Sequence, residues 1–69
     1  MRLIVNGQEQ DFETEGTGLT VADLLDRLQT TRGAAAVEVN RTLVPRRSHP
    51  ERRLEDGDQV EIVSLVGGG

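Results

Sequence analysis

Val21, Leu24, Leu25 and Leu28 recur at i, i+3, i+4 and i+7, which gathers four apolar side chains onto one stripe of a helix. Asp23, Asp26, Arg27 and Gln29 fall on the opposite side. A helix with one apolar side must lay it against something, and the other apolar residues of this chain alternate with a period of two. The partner is therefore a sheet. The helix begins at Thr20, whose hydroxyl can satisfy a free backbone N–H while Asp23, three residues on, completes a variant of the capping box. Thr30, Thr31 and Arg32 dilute the apolar pattern, and Gly33 is the expected left-handed stop.

The strands flank this helix. Leu3-Ile4-Val5 runs into Asn6-Gly7, the dipeptide suited to a type I′ turn because both positions need positive φ, so a hairpin opens the fold. In the return strand Glu9, Asp11, Glu13 and Glu15 alternate with residues that include Phe12, which places the acids toward water and suits a protected sheet edge. After the helix, Val37 and Val39 alternate with Glu38 and Asn40 as a strand, although Ala34-Ala35-Ala36 alone would be comfortable in a helix. Asn40-Arg41 is a turn, Thr42-Leu43-Val44 a very short strand, and Pro45 ends it. Residues 46–53 are polar, proline-broken and locally basic, and read as a surface loop in which His49 is solvated. Glu55-Asp56-Gly57-Asp58 is a tight turn, too short a run of oxygen ligands for calcium.

The last strand runs from Gln59 to about Val66. Val60 and Ile62 share one face, while Val63 and Leu65 share the other with Glu61, and apolar residues on both faces mark a strand that lies centrally in its sheet or meets a partner. The expected class is α+β, a mixed sheet of four to five strands with the final strand parallel to the first. The helix stripe packs over Leu3, Val5, Phe12, Val37, Val39, Val60 and Ile62.

Beyond that strand come Gly67, Gly68 and Gly69. A run of glycines ends an ordered element badly but makes a slender tail that can slide extended into a slot too narrow for side chains. The organisation expected is a folded body over residues 1–66 and a flexible tail over 67–69.

A chain of 69 residues makes one domain, because a body this short buries only about 60% of its unfolded surface. It has no cysteine, which excludes both disulfides and a thiolate metal site. A net charge of −4 and a single aromatic residue argue against nucleic acid. Its basic residues are all arginine, so no lysine is present to accept an isopeptide bond. The opening apolar run is too short for a secretory or membrane segment, and the expected location is the cytoplasm. With no cysteine nucleophile, one histidine in a loop and little chain to enclose a pocket, the protein is not expected to be an enzyme.

Four stretches together carry a resemblance: Leu3-Ile4-Val5-Asn6-Gly7, Thr20-Val21-Ala22-Asp23-Leu24-Leu25, Val39-Asn40-Arg41-Thr42-Leu43-Val44-Pro45-Arg46, and Asp56 to Val63 leading into the glycines. In this order and length the chain resembles the ThiS family, the β-grasp (ubiquitin-like) sulfur carriers of thiamine biosynthesis. It departs from the family after Pro45, where an aromatic is common and Ser48-His49-Pro50 stands here.

The resemblance implies that the Gly69 carboxylate is adenylated by a ThiF-type adenylyltransferase using ATP, with no cofactor bound to the carrier itself. A cysteine desulfurase or other persulfide donor then supplies sulfur, and the resulting thiocarboxylate delivers it to thiazole synthase. Gly67 and Gly68 would be the rest of the arm that enters the partners, with Val63, Leu65 and Val66 as the apolar docking surface beside it. No metal, nucleic acid or membrane is implied, and the free carrier would be a monomer. A carrier for molybdopterin or another sulfur-containing metabolite would share fold, tail and activating step, and a ubiquitin-like protein modifier would share the fold and tail.

Overall fold

The structure, a computed structural model, describes residues 1–16, 18–30 and 35–64. Its described elements are β1 (Arg2–Val5), β2 (Gln8–Asp11), α1 (Val21–Arg27), β3 (Ala35–Val39), β4 (Thr42–Val44), a 3₁₀ turn (Arg46–Ser48) and β5 (Gln59–Ser64). The five strands form one sheet in the order β2-β1-β5-β3-β4. β1 and β5 are parallel and the other neighbours antiparallel, which is the expected mixed sheet with the last strand beside the first.

Both hairpins use two-residue turns, and all four turn residues have positive φ: Asn6 50°, Gly7 83°, Asn40 52° and Arg41 70°. That is the type I′ geometry whose twist matches the strands on either side. β2 lies at one edge of the sheet but ends at Asp11, sooner than its alternation suggested. Glu13 and Glu15 lie past its end, in a segment that lines an open recess with Asp23, Asp26 and Arg27 of α1.

Thr20 caps α1 as expected. Its Oγ1 accepts from the Asp23 N–H at 3.1 Å, and the Asp23 carboxylate accepts from the Thr20 N–H at 3.0 Å. The end of the helix corrects the sequence reading. α1 stops at Arg27, and the left-handed residue is Gln29 at φ 58°, not Gly33, which lies outside the described residues. The Gln29 N–H donates to the Asp26 carbonyl at 3.0 Å and the Thr30 N–H to the Leu25 carbonyl at 2.9 Å, the bond pair of a Schellman motif. Two free carbonyls of the helix end are satisfied this way, and no glycine is needed to do it.

Val21, Leu24 and Leu25 are wholly buried against Leu3, Val5, Val37, Val39 and Val60, with Phe12, Leu28 and Ile62 packed at the margin. Leu19, Val44 and Leu54 complete this core, and none of the three belongs to the periodic stripe of the helix.

The segment after β4 is the second correction. His49 is 2% exposed, not solvated, and its Nε2 donates to the Val44 carbonyl at 3.1 Å. The helix N-terminus explains why. The Ala22 N–H donates to the His49 carbonyl at 3.0 Å and the Val21 N–H to the Arg52 carbonyl at 2.9 Å, so this loop satisfies two of the four donors that a helix leaves free at its start. The Leu54 N–H adds a bond to the Leu19 carbonyl at 2.8 Å. Tying the loop's backbone to the helix turns one of its side chains inward. The buried ring of this loop is the imidazole of His49.

Candidate functional site

β5 is the central strand and the one whose continuation carries the glycines. It leaves a turn held at several points. The Asp58 N–H donates to the Glu55 carbonyl at 3.0 Å, and the Glu55 N–H to the Asp58 carboxylate at 2.8 Å. Across the sheet the Arg2 N–H donates to Asp56 Oδ1 at 2.7 Å, and the Gly57 N–H, at φ 89°, to the Arg2 carbonyl at 2.6 Å.

Side chains from both hairpin turns then hold the strand. On the β3 side the Asn40 N–H donates to the Gln59 carbonyl at 2.7 Å, and the Gln59 N–H donates to Asn40 Oδ1 at 3.0 Å. Asn40 Nδ2 also donates to Asp58 Oδ1 at 3.0 Å. On the β1 side the Asn6 N–H donates to the Val60 carbonyl at 2.8 Å, and the Ile62 N–H donates to Asn6 Oδ1 at 2.7 Å. In the sequence these asparagines read only as turn formers. Their grip on β5 depends on which strand lies beside each turn.

Register divides the apolar residues of β5 between the two faces. Val60 is wholly buried under α1 and Ile62 packs at the edge of the core, while Val63 points to the face away from the helix and is 60% exposed. Across β3, with Ala36 opposite Val63 and Glu38 opposite both Glu61 and Leu43, the same outer face carries Leu43, which is 62% exposed. Of the residues expected to dock or to react, Val63 is thus placed on an open surface. Leu65, Val66, Gly67, Gly68 and Gly69, and with them the expected boundary between residues 66 and 67, lie outside the described residues. Among the described residues no group of three or more His, Asp or Glu side chains is arranged to hold a metal ion. No described helix is long and apolar enough to cross a membrane.

A five-stranded mixed sheet over one helix, with parallel first and last strands at its middle, is a β-grasp domain of the ubiquitin-like kind. The model of the ThiS family matches residues 3–69, and the chain belongs to that family. It is 30% identical to the sulfur carrier protein ThiS of Escherichia coli over 69 residues, which covers both chains completely. The crystal structure of the thiamine biosynthesis protein ThiS from Geobacter metallireducens superposes with a TM-score of 0.82 at 31% identity, again with both chains fully covered. The chain is also 39% identical, over its whole length, to part of a thiazole synthase from Paramagnetospirillum magneticum, of which it spans 20%.

Proposed function

We propose that this protein is a sulfur carrier that supplies thiazole formation in thiamine biosynthesis, with the terminal carboxylate of Gly69 as the group that changes. The observation that carries this reading is the pair of full-length likenesses, to a free sulfur carrier and to a segment within a thiazole synthase chain. A domain of this kind that in one relative shares a polypeptide with the synthase is a natural partner of that enzyme here.

The chemistry follows from the carboxylate's poor reactivity, since displacing oxide from it is prohibitive. In a ThiF-type adenylyltransferase a Gly69 oxygen attacks the α-phosphorus of ATP, pyrophosphate leaves, and the acyl carbon acquires AMP as a leaving group. The terminal sulfur of a cysteine persulfide, from a desulfurase or a similar donor, attacks that carbon and expels AMP. A further thiol then cleaves the acyl disulfide at its S–S bond, which leaves the thiocarboxylate on the carrier and a disulfide on the donor side. Thiazole synthase accepts the sulfur from the tail.

In this scheme the carrier is a co-substrate and not a catalyst. Gly67 and Gly68 make the arm thin enough to enter three different enzymes, Val63, Leu65 and Val66 provide the apolar surface beside it, and the partners supply acid, base and metal. ATP is consumed by the activating enzyme, and the whole exchange is placed in the cytoplasm. Intact mass spectrometry of the protein after incubation with its adenylyltransferase, ATP and a persulfide source is expected to show one oxygen-for-sulfur exchange. The exchange should be absent from Gly69→Ala, which stays folded. A wild-type mass that never changes, or a Gly69→Ala variant that gains sulfur as readily, would overturn the proposal.

A further inference from the structure

The parallel ladder between β1 and β5 has a fixed order of bonds. The Ile4 N–H donates to the Asp58 carbonyl at 2.9 Å and the Asn6 N–H to the Val60 carbonyl at 2.8 Å, so the next bond should run from the Ile62 N–H to the main-chain carbonyl of Asn6. The hairpin prevents this. At φ 50° Asn6 is no longer extended, and the bond goes instead to its side-chain Oδ1 at 2.7 Å.

The same substitution occurs on the other flank of the strand. The β3–β5 register sets Asn40 opposite Gln59, and Asn40, at φ 52°, receives the Gln59 N–H through its side-chain oxygen. Asn40 thus locks the start of β5 and Asn6 its later part. Among the described residues β1 pairs with β5 only as far as Val60, whereas β3 follows β5 to Ser64. Past Val60 the β1 flank is held by Asn6.

We propose that Asn6 is a positioning residue for the carrier tail. Its side-chain carbonyl extends the β1–β5 ladder by one bond beyond the end of β1 and pins Ile62 on the flank opposite β3, and so, together with the β3 ladder that runs to Ser64, holds the register and heading of the end of β5. The consequence is a fixed reach. A strand rises about 3.3 Å per residue, so a two-residue slip moves the root of the tail by roughly 7 Å. The five residues from Leu65 to Gly69 can span at most about 17 Å, so such a slip would misplace Gly69 by a large part of the arm's length. The inference rests on the reading of Gly69 as the reacting end.

Two substitutions isolate the bond from the turn. Asn6→Gly keeps the positive φ and a type I′ sequence but removes the acceptor, whereas Asn6→Asp keeps both the acceptor and a tolerance for that φ. Amide hydrogen exchange in Asn6→Gly should speed up at Ile62 by roughly tenfold, with Val37 and Val60 unchanged and with wild-type protection in Asn6→Asp. In acyl-adenylate formation by the activating enzyme, Asn6→Gly should raise KM for the carrier several-fold at unchanged kcat, and Asn6→Asp should restore it. Unchanged exchange at Ile62, a uniform rise at all three amides, or no recovery in Asn6→Asp overturns the inference. Wild-type KM in Asn6→Gly overturns it while leaving the carrier reading intact; a wild-type protein that is never adenylated overturns both.

Discussion

Gln29 has φ 58°, a conformation in which an L side chain crowds the following carbonyl, and it holds that angle because the Schellman bonds of α1 require it. Glycine has no such crowding. Gln29→Gly is therefore expected to stabilise the protein by about 0.5–1 kcal/mol, read as a higher urea midpoint at unchanged slope. Asn6, Asn40 and Arg41 share the left-handed region, but at the two asparagines a side-chain oxygen replaces the displaced main-chain acceptor, so glycine there would relieve strain and lose a bond. His49 carries a different constraint: Nε2 is bonded to Val44, whereas Nδ1 is buried with no partner among the described residues.

At the scale of elements, α1 has seven residues, too few to be stable in water alone. Its start is satisfied by Thr20 and by carbonyls of the loop at His49 and Arg52, and its apolar side by the sheet. Helix, loop and sheet therefore form together. Leu24, wholly buried at the centre of the stripe, is the most informative probe. Leu24→Ala should cost about 2–5 kcal/mol, against the roughly 3–5 kcal/mol that one core supplies in a domain of this size. The expected result is a chain left with little or no stability at 25 °C, visible as a strongly lowered thermal midpoint or none at all, and a cooperative transition near the wild-type midpoint would contradict it.

Across the whole molecule, the helix covers one face of the sheet and leaves the other to solvent, where Val63 and Leu43 stand among Glu38, Glu61 and Gln59. Because Val63 contributes little to the core, Val63→Lys should change stability by no more than about 0.5 kcal/mol. If the outer face docks the activating enzyme, the same change should weaken binding by roughly tenfold in a titration, and unchanged affinity would remove Val63 from the docking surface.

Local pattern determined much of this protein. The helix stripe, its Thr20 cap, the type I′ turn at Asn6-Gly7, the turn at Asn40-Arg41 and the alternating strands were legible because each depends on residues within a few positions of one another, and a single helix with short strands leaves few ways to bury the apolar set. The family resemblance was legible for the same reason, being carried by four short runs. The burial of His49, the helix end at Arg27 and the roles of Leu19 and Leu54 were not legible. Each depends on groups brought together from distant parts of the chain: loop carbonyls meeting free N–H groups of the helix, a Schellman closure that no glycine announced, and two segments joined by the bond from Leu54 to Leu19. The grip of Asn6 on Ile62 joins residues 56 positions apart, and only the folded sheet, which sets the last strand beside the first turn, could decide it.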